Sequence, residues 1–138
     1  MASALYPSFK ASLLTQSPSI DLDTDNIRAI FVTSSYTYNS AHDFFDDLTN
    51  TVGDGGTARA NGELLASKTT TAGVLDAADT VFASVTGTGI NAIVLYKDDG
   101  SADATSALIA YIDGISLTVS AAQVTIQWDA GASKIFAL

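Results

Sequence analysis

Cysteine is absent from this chain, histidine occurs once, at His42, and proline only twice. With no cysteine there is no disulfide, no thiolate metal site and no cysteine nucleophile. A single histidine without cysteine leaves too few ligands for a zinc site of the usual kind. Basic residues are scarce too: six Lys and Arg stand against fifteen Asp and Glu, a net charge of −9. Phosphate backbones and anionic lipid are both held through Lys and Arg, so neither nucleic acid nor a membrane surface is an expected partner. No apolar run reaches the length of about 20 residues that a spanning helix needs. MASALYPSFKASLL lacks a basic start followed by a long apolar run, so no signal peptide is expected. The phosphate-loop pattern, a Gly-x-Gly-x-x-Gly helix opening and the Gly-x-Ser-x-Gly elbow are all missing. No cofactor, no metal and no enzymatic activity are expected.

What is present is a chain of 138 residues that is 47% apolar. That is one domain, able to bury roughly two-thirds of the surface its unfolded form exposes. Only 15% of residues are charged, against about 25% in an ordinary domain. The surface must therefore be covered largely by Ser, Thr, Asn, Gly and Ala, which part from water more easily than charges do. Such a surface suits burial against a partner.

Apolar spacing predicts a mainly β fold: an antiparallel sandwich or curled sheet of about seven or eight short strands with one or two short helices. Leu5, Phe9 and Leu13 recur at helical spacing, and Pro7 suits a first turn, so a helix is expected over 7–14. Residues 1–18 are read as this helix or as an N-terminal arm reaching a neighbouring subunit. Ile27 to Thr33 reads as a strand buried on both faces. Ser40 is placed to cap a short helix AHDFFDDL whose Phe44, Phe45 and Leu48 face inward. NTVGDGG over 50–56 reads as a flexible loop, and 58–71 as a strand interrupted at Asn61-Gly62. Val81 to Val85 reads as a strand ending at Thr86-Gly87. Ile90 to Tyr96 and Ala107 to Ile112 form a hairpin at the centre of the sheet. Ile115 to Val119 is expected to pair briefly. Val124, Ile126 and Trp128 alternate with Gln123, Thr125 and Gln127 in the cleanest period-2 pattern of the chain, with Trp128 on the buried face. Asp129 to Ala132 is then expected to turn the chain into a last hairpin with 134–138, which docks the C-terminus in the sheet.

Three groups of residues raise the question of chemistry. Asp21, Asp23 and Asp25 alternate as in the first half of a calcium loop, but Asn26 and Val32 stand where such a loop needs Gly and Glu. A turn leading into a strand is the expectation. Asp98, Asp99 and Asp103 could serve as paired carboxylates of a glycosidase or as calcium ligands. A Gly/Ser/Ala-rich loop tip is wet, however, and a raised carboxyl pKa needs apolar burial, so a solvated turn is expected. Tyr36, Tyr38, Tyr96 and Trp128 would have to lie exposed in one plane to stack on sugar, as in a carbohydrate-binding module.

Four stretches, ALYPSFKASLL, YTYNSAHDFFDDL, LYKDDGSADATSALIAYID and VTIQWDAGASKIFAL, taken together and in this order, resemble a family of small virion structural proteins encoded near the head and tail genes of tailed bacteriophages. The resemblance covers most of the chain. It implies a capsid decoration, or cement, protein on the outer surface of the virion head, bound to the major capsid protein and associated as a homotrimer. A tail or neck component is the nearest alternative. The contact residues expected for such a role are Leu5, Tyr6 and Phe9 of the N-terminal segment and Tyr36 and Tyr38 of the following loops.

Overall fold

The computed structural model describes residues 2–138. In chain order its elements are β1 (Ala4–Leu5), α1 (Pro7–Thr15), β2 (Ile27–Thr33), β3 (Thr51–Val52), β4 (Glu63–Leu64), β5 (Val74–Leu75), β6 (Thr80–Lys97), β7 (Leu108–Ile126) and β8 (Phe136–Ala137). The mainly β, antiparallel expectation holds. A six-stranded sheet runs β1-β7-β6-β2-β3, with β4 beside β3 on the same edge of β2, and β5 pairs with β8 in a separate two-stranded sheet.

Length is where the strands depart from expectation. The segments 81–85 and 90–96 are one strand, and the segments 107–112, 115–119 and 123–126 are another. Thr86-Gly87-Thr88-Gly89 has the composition of a stop, but the chain keeps pairing through it. The register slips in turn on one strand and then the other, as between Val85↔Ala122, Gly87↔Val119, Ile90↔Leu117 and Ala92↔Asp113. Each such slip holds one or two extra residues, bends the ribbon and increases its twist. Gly89, Ala121 and Gly114, at or beside these slips, have φ of 67°, 47° and 99°. Because the slips alternate between strands, they largely cancel, and the hairpin stays paired over its whole length.

The near end of this hairpin is buried on both faces, as its apolar composition predicts. One face of the sheet packs Phe9, Ile27, Phe31, Phe82, Ile90, Ile93, Leu95 and Ile109. The other packs Ile30, Val32, Val94, Tyr96, Leu108 and Tyr111 beneath Tyr6, Tyr36 and Phe45. The N-terminal segment serves both layers: Leu5 and Phe9 go to the first, and Tyr6 to the second. Helix α1 agrees with the expected span, with Phe9 buried and Leu13 half-buried.

Several local expectations are overturned. No helix forms over 41–48. Phe44 is extended and bridges to Ala107, while the Asp47 carboxylate accepts the N–H groups of Asp43 (2.9 Å) and Phe44 (3.4 Å). Only a single 3₁₀ turn, Phe45–Asp47, remains, and Phe45 packs on the Tyr96 ring at 4.8 Å. So short a helix gains little by itself, and the sheet offers its aromatic residues better contacts in an extended chain. Residues 51–52 are strand β3 rather than flexible loop, paired with Phe31 and Val32. Of 58–71 only Glu63–Leu64 is strand. The last hairpin does not exist either. Residues 124–126 pair with Thr80, Val81 and Phe82, and β8 pairs with Val74 and Leu75.

Candidate interaction surface

The acidic loop does not behave as one solvated turn. Asp98 is buried, 8% exposed. Its carboxylate is paired with Arg28 at 2.6 Å and with Arg59, and Arg59 also reaches Asp103 at 3.0 Å. Arg28 donates in addition to the Gly62 carbonyl at 2.6 Å, and the buried Tyr96 hydroxyl donates to the Arg59 carbonyl. Burial needs such compensation, because an unpaired ion inside a protein is costly. Asp98 therefore ties β2, β6 and the 59–62 turn together, with both of its carboxylate oxygens engaged. Asp99 is exposed and serves its own loop. Hydrogen bonds from the Thr105 hydroxyl and the Ser101 N–H hold its carboxyl well below the usual carboxylate range. Among the described residues these three acids do not form a group that could hold a metal ion.

The other acids serve structure as well. Asp21 accepts the N–H groups of Asp23 and Thr24, and Asp25 pairs with Lys97 at 2.9 Å, which is the turn and strand entry expected there. Asp54 accepts the Ser84 N–H at 2.8 Å and shares a hydrogen bond with Glu63. Burial, then that bond and the Asp54 charge, push the Glu63 carboxyl up. Among the described residues no group of three or more His, Cys, Asp or Glu could hold a metal ion, and no helix is long and apolar enough to cross a membrane.

The aromatic candidates lie mostly inside the protein. Tyr6, Phe9 and Tyr36 are 0%, 1% and 4% exposed, and Tyr96 is fully buried. Leu5, Tyr38 and Trp128 are half-buried. The Tyr6 hydroxyl is 2.9 Å from that of Tyr36, which is 2.9 Å from His42 Nδ1. Burial and then the Tyr36 hydrogen bond push the Tyr6 phenol up. Tyr38 stacks against Tyr6 and Tyr111 at 5.2 and 5.5 Å. This is a packed layer, not an exposed plane, so these rings supply no sugar-stacking platform. For the same reason Tyr6, Phe9 and Tyr36 cannot be contact residues in this conformation. The N-terminal segment is docked on its own sheet: Ala4 and Leu5 pair with Tyr111 and Ala110, and the Tyr6 N–H donates to the Ile109 carbonyl at 3.0 Å.

The surface that stands out is the far half of the long hairpin. Neither Thr80 to Tyr96 nor Gly114 to Trp128 contains a charged residue, although the chain holds twenty-one. The outward row of this half consists of Val81, Ala83, Thr86, Thr88, Ser116, Thr118, Ser120, Gln123 and Thr125, all exposed. The inward row on β7 is Ile115, Leu117, Val119 and Val124, which remain only half-buried. Between that row and the C-terminal segment lies a cleft of about 350 Å³, walled by Ile93, Ile112, Leu117, Val124, Trp128 and Ile135, with Asp129 and Lys134 as its charged members. Trp128 is only half-buried here, and its Nε1–H donates to Thr80 Oγ1 at 3.1 Å. On the β1 side of β7, the described strand pairing ends at Tyr111, followed by the Asp113 N–H donating to Ser3 Oγ at 2.9 Å. Sequence reasoning did not single out this surface. Its signal, two long charge-free runs, was hidden by the Gly and Thr residues that read as turns. No protein-family model, no curated protein and no solved structure matches the chain.

Proposed function

We propose that this chain is a structural virion protein that binds the outside of a phage capsid as a decoration protein and stabilises it, without catalysing a reaction. The observation that carries this reading is the charge-free half of the β6–β7 hairpin, whose Thr/Ser/Gln face and half-covered aliphatic row are suited to burial against protein. The resemblance of the four sequence stretches to small phage virion proteins supplies the kind of assembly. A packaged head pushes outward on its shell. A protein that buries area across subunit junctions, or adds a strand to an exposed edge, raises the work of separating them. The net charge of −9 suits a place outside the shell, since it repels nucleic acid.

The test is to add purified protein to capsids that lack it, and to follow co-sedimentation and the temperature at which the shells disrupt. Binding with a higher disruption temperature is expected. If neither appears, the head assignment falls. Binding to isolated tails instead would place the protein in the tail or neck.

A further inference from the structure

The free edge of β7 from Ile115 to Ile126 is the longest unpaired strand edge in the described sheet. The far edge of the sheet is made of β3 and β4, two residues each. The far half of β6 is tied down by the 53–56 loop, through Gly55 N–H to the Ser84 carbonyl at 2.8 Å and Ser84 N–H to the Asp54 carboxylate at 2.8 Å. Among the described residues no comparable loop bond reaches Ile115–Ile126; the nearest on that edge is the Asp113 N–H to Ser3 Oγ at 2.9 Å. Proteins that must stay monomeric blunt such edges with lysine, inward charges, proline or bulges; Ile115–Ile126 has no charge and no proline, and the slips that add residues to β7 there lie beside Gly114 and Ala121.

We propose that this edge pairs with the same edge of a second copy, the two β7 strands running antiparallel across a two-fold axis near Ser120 and Ala121. Charge selects this occupant. Two chains of −9 repel wherever their surfaces carry acids, and this hairpin half carries none. A basic partner would instead be recognised through the acidic surfaces elsewhere. Length selects the symmetry. A three-fold ring would need a second free edge as long as β7, whereas β7 against β7 is self-complementary. The pairing gives partners to outer backbone groups of both strands on either side of the slip at Ala121, joins two sheets into one and sets the half-covered aliphatic rows of the two copies side by side. The inference deepens the adhesive reading above and rests on it only for its purpose: a paired protein offers a capsid two identical contacts.

The experiment is sedimentation equilibrium on the full chain and on two double variants, S116K/T125K and S116E/T125E. Pairing about the midpoint puts residue 116 of one copy opposite residue 125 of the other. Wild type is expected at twice the 14.2 kDa of one chain. Each variant alone is expected to dissociate at least about tenfold more readily, because like charges lie directly opposite. An equimolar mixture of the two is expected to re-form the dimer, which separates a lost contact from a lost fold. A monomeric wild type, an oligomer that neither variant weakens, a trimer, or a mixture that fails to reassociate would each overturn the proposal. A dimer that meets these criteria but leaves capsids unbound would sink the capsid reading and keep this one.

Discussion

Asp98 and Glu63 show how the neighbours of a carboxylate decide its role. Asp98 is buried between two guanidinium groups and serves the fold. Glu63 shares a hydrogen bond with Asp54, and both burial and the neighbouring acid raise its carboxyl. The folded state thus binds that proton more tightly than the unfolded chain does. The corresponding stability is fully present below the ordinary Glu value of about 4.3 and is lost as pH rises through the folded value. Glu63→Gln keeps a donor toward Asp54 and removes the titration. Its melting temperature relative to wild type should therefore be higher at pH 7 than at pH 4, by calorimetry at both values; an equal difference at the two would reject the shared proton. Asp99 acts in the opposite sense. Hydrogen bonds lower its carboxyl, so its contribution is present above the ordinary Asp value of about 3.9 and fades as pH falls below it. Nothing in the LYKDDGSADATS stretch distinguishes Asp98 from Asp99. The distinction comes from Arg28 and Arg59, whose positions in sequence lie 70 and 39 residues away.

At the scale of elements, the long hairpin survives its glycines because it uses them as bulges. Gly114, at φ 99°, sits where β7 slips against β6. No atom lies within 4 Å of where a Cβ would be placed there, so substitution meets no clash and its cost is conformational. Gly114→Ala should lower stability by about 1 kcal/mol in a denaturant titration, with the fold kept. No change would mean that the bulge is not required. The N-terminal segment changes role in the same way. Helix periodicity over 7–14 was legible, but docking was not. With Tyr6 and Phe9 fully enclosed, deleting residues 1–15 would remove core as well as any contact, so loss of capsid binding in that truncation would not identify an arm.

For the whole molecule, the uneven distribution of charge matters more than its total. Fifteen acids lie outside a hairpin half that has no charge. Self-association through that half works against long-range repulsion between like-charged copies, which salt screens. The Debye length falls from about 30 Å at 0.01 M to about 8 Å at 0.15 M ionic strength. The dimer dissociation constant, followed by sedimentation across that range, should therefore decrease as salt rises. An increase would mean that the contact is held by opposite charges and lies elsewhere on the surface.

The sequence by itself determined the β class, the α1 helix, the central position of Ile90–Tyr96 and Ala107–Ile112, and the exclusion of thiolate and ordinary zinc chemistry. These follow from local periodicity and residue type, which need no partner segment to be read. Only the tertiary structure decided that the five expected contact residues belong wholly or partly to the core. It likewise decided that Asp98 is an ion-paired strut and that 80–97 and 108–126 are each one strand. Its last contribution was to leave the edge of β7 open. Each of these depends on what a residue meets far along the chain. A Thr-Gly-Thr-Gly stretch ends a strand when it faces solvent and becomes a bulge when a partner strand continues beside it. Whether a strand edge is free is a property of the finished sheet, which no single segment carries.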